Sequence, residues 1–319
     1  MVNNIGKFVI SLDFELMWGG IDIWDEQGYG QTNISKVRKV VDRLISLFEK
    51  YHVKATFATV GLIMQTHENT NDLQPEKTPT YNNDKLNPFK NRYIDNIKDS
   101  SLFFAPDLIE KLKQHKNIEI GTHTYSHYYC WEEGQTVAQF EADIQKAVEV
   151  AKNNNIELKS IVFPRNQVSP EYLDICYKYG ITSYRGNALK YFNLPKSKLE
   201  SFKNRLCRLL DAYFNVGGYT SYKFIPAHNQ IQNIPASRFL RPYIPKLAFA
   251  DGLRLRRIKK EMLHAAQFGE VYHIWWHPHN FGDNMCENLK FLEQIMTHFD
   301  YCNKKYGMIS CTMNELSHF

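Results

Sequence analysis

The chain has 319 residues, of which 43% are hydrophobic and 14% aromatic, and its formal net charge is +5. It can therefore bury a large core, either as two domains or as one closed α/β barrel. The mildly basic charge suits weak attraction to phosphates or lipid headgroups and does not by itself indicate nucleic-acid binding, while no stretch approaches the length of a membrane span.

The six cysteines and the N-terminus bear on the compartment. The cysteines show neither C-x-x-C pairing nor regular spacing, which favours free thiols in a reducing compartment over a disulfide framework. The first residues, MVNNIGKFVISLDFE, lack the apolar region and cleavage site of a signal peptide. We therefore expect a soluble cytoplasmic protein.

Short apolar runs alternate with amphipathic segments, which is typical of βα units around a parallel sheet. The predicted strands are residues 7–15, 54–60, 118–123, 160–165, 182–186, 270–277 and 307–312. Apolar residues at three- and four-residue spacing predict helices over 34–51, 104–115, 136–154, 169–180 and 288–307.

Two long segments, about 62–105 and 186–250, interrupt this alternation. Each follows a predicted strand, so each is expected at the C-terminal face of the sheet, where parallel α/β folds carry their sites. They either shape the substrate site or serve as decoration or oligomer contacts.

The first strand ends in two acids. Alternation places Val9, Ser11, Asp13 and Glu15 on one face, so both carboxylates point inward together at the end of the strand. Two buried like charges need a compensating cation or proton. A buried arginine or lysine would satisfy this requirement, as would a metal ion.

His123 and His127 directly follow the third predicted strand. If the chain turns helically there, their Cβ atoms lie about 5–6 Å apart, close enough for both rings to bind one divalent ion. Two unrelated histidines remain an alternative, so a third ligand is needed, and Glu15 or Asp13 supplies it. A His/His/carboxylate set with an open position is typical of hydrolytic metal sites.

Two further strand ends carry ionisable residues. His277 ends the strand before Pro278 and is a candidate general acid, while His279, beyond the proline, faces substrate or is simply exposed. Arg165 follows Pro164 and either pairs with the carboxylate that is not a metal ligand or is a surface arginine.

These motifs resemble those of the polysaccharide deacetylase family, the NodB-homology group or carbohydrate esterase family four, from about Phe8 to Thr312. "SLDFELMWGG", "HTYSH", "FPRN" and "WWHPHNFG" carry the resemblance. The first and last are similar to a subgroup associated with surface-polysaccharide biosynthesis. Phe14 separates two acids that are adjacent aspartates in the family, and Asn166 and Gln167 replace its usual proline and aromatic residue.

The resemblance implies a distorted (β/α)7 barrel formed by one domain over residues 1–319, with insertions at about 62–105 and 186–250. It implies a hydrolase that removes an N-acyl or O-acyl group from a sugar with one divalent ion, for which Zn²⁺ is our prediction. The implied roles are as follows: Glu15, His123 and His127 bind the metal, Asp13 is the base, Arg165 orients that base, and His277 is the acid. Trp18 and His279 are candidate substrate contacts, and Trp18 and Trp275 either stack on a sugar ring or fill the core.

The predicted substrate is an acylated amino sugar, in a polysaccharide or in its nucleotide- or lipid-linked precursor. Deformylation, hydrolysis of another C–N amide bond, and a non-catalytic carbohydrate-binding protein are the alternatives. The charge run "LRLRRIKKEM" is expected to be a solvated helix face. With the 186–250 segment, it is also a candidate for contact with an anionic membrane. No nucleic-acid partner is expected.

Overall fold

The computed structural model describes residues 5–68, 70–90, 93–187, 202–227 and 230–319, and within these ranges nine strands form one sheet. The strands are β1 (Lys7–Phe14), β2 (Ala55–Thr59), β3 (Ile118–Thr122), β4 (Ser160–Ile161), β5 (Ser183–Tyr184), β6 (Gln232–Asn233), β7 (Arg238–Phe239), β8 (Val271–Trp276) and β9 (Ile309–Cys311). All seven predicted strands are confirmed, each somewhat shorter than expected. Strands β6 and β7 were not predicted, since both lie inside the 186–250 segment that was interpreted as an insertion.

Helices follow most strands, as the alternation predicts. They are α1 (Val37–Lys50), α2 (Pro106–Lys113), α3 (Val137–Asn153), α4 (Pro170–Lys178), α5 (Phe202–Tyr213), α6 (Asp251–Phe268), α7 (Met285–Tyr306) and α8 (Met313–Leu316). All five predicted helices are present. No helix in the described part of the chain combines the length and apolarity needed to cross a membrane.

The sheet curls into a barrel. Its order is β6-β5-β4-β3-β2-β1-β8-β7 with parallel pairing throughout, and β9 adds to the lower half of β1. Between β6 and β7, the amide of Ile234 donates to Tyr184 and the amide of Ser237 donates to His273, so this segment contacts both β5 and β8. It supplies the seventh position of the wall, and the prediction of a distorted (β/α)7 barrel is confirmed.

The part of the barrel wall that β6 and β7 form lies inside the segment predicted as an insertion at 186–250. Residues 188–201, together with 228 and 229, lie outside the described residues, as do 69, 91 and 92 of the 62–105 segment. The described part of 62–105 contains short 3₁₀ turns between β2 and α2.

The two faces of β1 pack differently, as its alternation predicts. Phe8, Ile10 and Leu12 belong to the large core between sheet and helices. Val9 belongs to a smaller cluster inside the barrel, which α8 covers from below through Met313. The inward side chains of β1 after Val9 therefore point into the barrel, and they lie progressively closer to its mouth.

Helix α6 runs from the mouth of the barrel to its base. It ends at Gly269, which has a left-handed backbone (φ 67°) that suits glycine, and β8 begins two residues later. Because β8 ends at the mouth, the N-terminus of α6 lies at the mouth end as well.

A buried ion cluster ties the segment before β6 to α6. Glu261 is fully buried, and it pairs with Arg238 at 2.9 Å and with Arg257 at 3.0 Å. It also accepts hydrogen bonds from the amide and hydroxyl of Thr220. Arg238 continues the cluster to Asp211 of α5 at 3.2 Å. Burial alone would raise the pKa of Glu261, but the charges of Arg238 and Arg257 and the hydrogen bonds from Arg238 and Thr220 together more than offset this and lower it.

We expect Glu261→Ala to destabilise the protein by about 3–5 kcal/mol, because it leaves two buried guanidinium groups without their shared carboxylate. Chemical denaturation measures this change. Glu293→Ala is the matched control, since Glu293 pairs with Lys50 in solvent. Equal midpoints for the two variants would contradict the structural role assigned to the buried cluster.

Candidate metal centre and active site

Asp13 lies at the end of β1 and forms a buried bidentate pair with Arg185. The two carboxylate oxygens are 2.5 and 2.7 Å from Nη1 and Nη2 of this arginine, which is fully buried. Nη1 also donates to the hydroxyl of Ser11, which lies 2.8 Å from Nε2 of His273. Burial raises the pKa of Asp13, but the charge and hydrogen bonds of Arg185, together with the charges of His123 and His277, more than offset this, so the pKa is lowered. Asp13 is therefore held as an oriented carboxylate.

Glu15 lies beside two histidines. Its Oε2 atom is 3.0 Å from Nε2 of His127 and 3.4 Å from Nε2 of His123. One ligand atom from each residue lies within 4.8 Å of the other two, and all three residues are buried. Two imidazole nitrogens and a carboxylate oxygen are the donors of many catalytic zinc sites.

The hydrogen bonds of the two rings fit a bound cation. Nδ1 of His123 is 2.7 Å from the carbonyl oxygen of Val162, which can only accept, so Nδ1 carries the proton and neutral His123 presents a lone pair at Nε2. Burial lowers the pKa of His127, which favours its neutral form, and its Nδ1 has no partner among the described residues. A lone pair of His123 thus faces the carboxylate of Glu15, and a divalent ion between them would remove that repulsion.

The turn after β3 holds the two histidines in place. Thr124 and His127 have φ values of 63° and 59°, so the chain does not turn helically between the histidines. Asp143 of α3 accepts hydrogen bonds from the amides of Tyr125 and Ser126 at 2.7 and 3.1 Å and from the hydroxyl of Ser126. These bonds fix a non-helical loop in which the two histidine ring centroids are 5.0 Å apart.

His277 and His279 approach the same carboxylates from the end of β8. Nε2 of His277 is 3.7 Å from Oδ2 of Asp13 and 3.6 Å from Oε1 of Glu15, and its side chain is 23% exposed. His279 stacks on His277 and places its Nε2 3.9 Å from Glu15. Burial, reinforced by the charge of His277, lowers the pKa of His279 to about 3. His277 is therefore the histidine of this pair that is open to the mouth.

Arg165 does not contact Asp13, so the predicted pairing is wrong. It pairs with Asp22 and Glu132, each at 3.3 Å, and lies 4.3 Å over the ring of Tyr129. β4 ends at residue 161, so Arg165 lies beyond the strand in a rim turn and is 41% exposed.

Arg185 occupies the place predicted for Arg165, and the sequence analysis missed it. It directly follows β5, so its guanidinium can enter the barrel beside Asp13. The signal was present in "TSYRG", because an ionisable residue ends that apolar run as Asp13 ends the first.

The two tryptophans have different surroundings. Trp18 is 1% exposed, donates from Nε1 to the carbonyl of Phe103 and packs edge-on against that ring, so the prediction that it contacts substrate is wrong. Trp275 is half-buried on the inward face of β8, where the guanidinium of Arg185 lies 4.1 Å from its ring.

Gly19 lies directly against the carboxylate of Glu15. A Cβ atom at this position would overlap Cδ and Oε1 of that glutamate. The close approach therefore requires glycine.

We expect Gly19→Ala to weaken zinc binding by about 10–100-fold, the range for changes that disturb the orientation of a ligand. Competition with a chromogenic chelator measures the affinity. Gly252→Ala is the control, because a Cβ atom there meets open space. Unchanged zinc affinity in Gly19→Ala would show that Glu15 is not a ligand.

The comparisons with known proteins bear on the family and on the fold. A family model described as polysaccharide deacetylase matches residues 22–184, which include His123 and His127 but neither Asp13 nor Glu15. A comparison with curated proteins finds no match in sequence.

Solved structures share the fold at low sequence identity. The chain is similar to a polysaccharide deacetylase, described as putative, from Mycobacterium smegmatis (TM-score 0.60, 10% identity, covering 100% of this chain and 91% of that one). It is similar to a probable polysaccharide deacetylase from Pseudomonas aeruginosa PAO1 (TM-score 0.55, 11% identity, 99% and 90% covered). Puue allantoinase is also similar (TM-score 0.53, 10% identity, 100% and 91% covered). At these identities the likeness establishes the fold, and the family model, which spans just over half of the sequence, establishes that the chain belongs to the polysaccharide deacetylase family.

Proposed function

We propose that this protein is a metal-dependent hydrolase that removes an N-acyl group, acetyl in the first instance, from an amino sugar of a surface polysaccharide or its precursor. The observation that carries the proposal is the convergence of Glu15, His123 and His127 beside Asp13 and His277. Family membership supports the reaction class.

Glu15, His123 and His127 would hold one divalent ion, and two imidazoles with one carboxylate favour zinc. Such an ion supplies Lewis acidity toward water and the acyl carbonyl. The chain positions these ligands through the bond from His123 to Val162 and through the turn that Asp143 holds.

Asp13 takes the proton from the attacking water, because its carboxylate is kept ionised and its two oxygens are fixed by Arg185. His277 delivers a proton to the departing amine. Its Nε2 lies near both acids, and its Nδ1 is 3.2 Å from Oδ1 of Asn280, which orients the ring. His279 is only 3% exposed, so in this proposal it supports the ring of His277, on which it stacks, in place of the predicted substrate contact.

The rim of the mouth supplies substrate contacts in this proposal. Arg165 is partly exposed between Asp22 and Glu132, so its remaining donors can reach sugar hydroxyls. Trp275 offers part of its indole surface beside His277, at a ring distance of 5.7 Å. We place the reaction in the cytoplasm, which the six free cysteines support.

Formyl is the alternative to acetyl as the acyl group, and the chain's similarity in fold to an allantoinase makes another C–N amide bond a further alternative. Incubation with N-acetyl and N-formyl amino sugars, free and nucleotide-linked, distinguishes these reactions by the acid that is released. Acetate release supports the proposal, and formate alone supports the deformylase alternative.

We expect His123→Ala to lose bound zinc and all turnover, whereas Asp13→Asn keeps zinc and loses turnover by about 100-fold or more. Metal analysis and acetate release measure the two properties separately. Wild-type turnover in Asp13→Asn would contradict its role as the base. A wild-type protein that neither contains nor rebinds a divalent ion would favour a non-catalytic carbohydrate-binding protein.

A second pair of substitutions tests which arginine positions the carboxylate of Asp13. Arg185→Lys keeps the positive charge but loses the bidentate geometry, so we expect kcat to fall about 10–100-fold with KM little changed. Arg165→Lys should instead raise KM, because the rim contacts substrate. If Arg165→Lys shows the larger loss of kcat, the assignment of Arg185 as the residue that positions Asp13 is wrong.

A further inference from the structure

The five cations of the α6 charge run do not share one face, so the expectation of a fully solvated face is wrong. Arg254 and Arg257 are buried. Arg254 pairs with Asp251 at 3.0 Å, and Arg257 is 3.0 Å from Glu261. Two of the five charges are therefore used within the protein.

The other three cations line a surface depression of about 330 Å³ between α6 and α7. Arg256, Lys259 and Lys260 line it together with Leu255 and Leu263, and no carboxylate is part of its lining. Within the described residues, none of these three cations forms an ion pair with an acid. In the described part of the chain, the depression is therefore a positive site with no acid in its lining.

Large apolar side chains protrude from the chain immediately beside this site. Phe249, in the turn before α6, is 87% exposed, and Leu253, in the first turn of the helix, is 43% exposed. Ile244 and Lys246 are exposed in the same connection. Leu253 and Arg256 are three residues apart and therefore neighbours on the helix surface.

We propose that this surface, consisting of Phe249, Leu253, Arg256, Lys259 and Lys260, docks on an anionic lipid bilayer. Exposed apolar side chains that enter the headgroup region, flanked by cations that bind lipid phosphates, are the two components of interfacial membrane binding. A soluble polyanion would use the cations alone, and a protein partner of an apolar patch would not require three uncompensated charges.

The position of the surface fits a role in substrate delivery. The N-terminus of α6 is at the mouth end of the barrel, and the chain leading to it starts at Phe239, whose ring lies 6.0 Å from that of His277. Docking through Phe249 and Leu253 would therefore bring the mouth close to the bilayer. This inference goes beyond the proposed function and does not depend on it.

A second basic groove provides a matched control. Lys36, Lys39 and Arg43 line a depression between α1 and α7, but Glu287 and Glu293 lie in the same depression. None of the exposed large apolar side chains of the described residues belongs to it.

Flotation of the full chain with phosphatidylcholine vesicles, with and without phosphatidylglycerol, tests the proposal. We expect binding only to the anionic vesicles, and weaker binding at high salt. The triple variant Arg256→Gln, Lys259→Gln, Lys260→Gln should bind on the order of 100-fold more weakly. Phe249→Ser with Leu253→Ser, which leaves the charge unchanged, should bind about tenfold more weakly.

The α1 variant Lys36→Gln, Lys39→Gln, Arg43→Gln removes the same charge and should bind as the wild type does. Equal loss in the two triple variants, binding that is insensitive to Phe249 and Leu253, or no preference for anionic vesicles would each overturn the proposal. Zinc content, measured in parallel, should be unchanged in all variants, so that failure of docking is distinguished from failure of the metal centre.

Discussion

The site depends on how two buried carboxylates at the end of one strand are compensated. Asp13 lies in β1 and Glu15 directly follows the strand, and each is buried. Asp13 receives a guanidinium that contacts both of its oxygens. Glu15 instead faces two imidazoles, one of which presents a lone pair because its other nitrogen is bonded to a carbonyl. The two acids therefore have different chemistry although they are near neighbours in the sequence.

The different chemistry of the two acids depends on the barrel wall. Each charged or ligating side chain lies at or just beyond the end of a parallel strand. Residues at the ends of β1, β3, β5 and β8 therefore meet, although the most distant of them are more than two hundred positions apart in the sequence. Arg185 can enter between them because β5 ends one residue earlier and its neighbour Trp275 provides an aromatic face for the guanidinium. A one-residue shift in any of these strands would turn its end residue toward the helices.

Much of this could be predicted from the sequence because it depends on local period. Alternation along β1 predicted which residues face inward, and the core clusters agree. Sequence motifs brought Glu15, His123 and His127 together as a candidate set. The arginine was assigned wrongly because Arg165 and Arg185 each lie at the end of a predicted strand, and only the points at which β4 and β5 end decide which one reaches the axis: Arg185 directly follows β5, whereas Arg165 lies four residues beyond β4. Trp18 was misjudged because nearness to a motif in sequence does not determine burial.

The charge run on α6 is a second case in which the sequence pattern did not determine which side chains are buried. A helix that packs on a barrel has a buried face, and cations at positions 254 and 257 fall on it, whereas those at 256, 259 and 260 do not. The burial of these two arginines is compensated by acids of the helix and of the segment before it: Arg254 pairs with Asp251, and Arg257 pairs with Glu261 and lies near Asp211. Glu261 also pairs with Arg238, so two guanidinium groups share it. The same helix thus anchors the segment that completes the barrel wall and leaves a positive outer face. Because β8 follows α6 and ends at the mouth, the N-terminus of the helix lies at the mouth end, and a partner that contacts Phe249 and Leu253 lies near the mouth of the barrel.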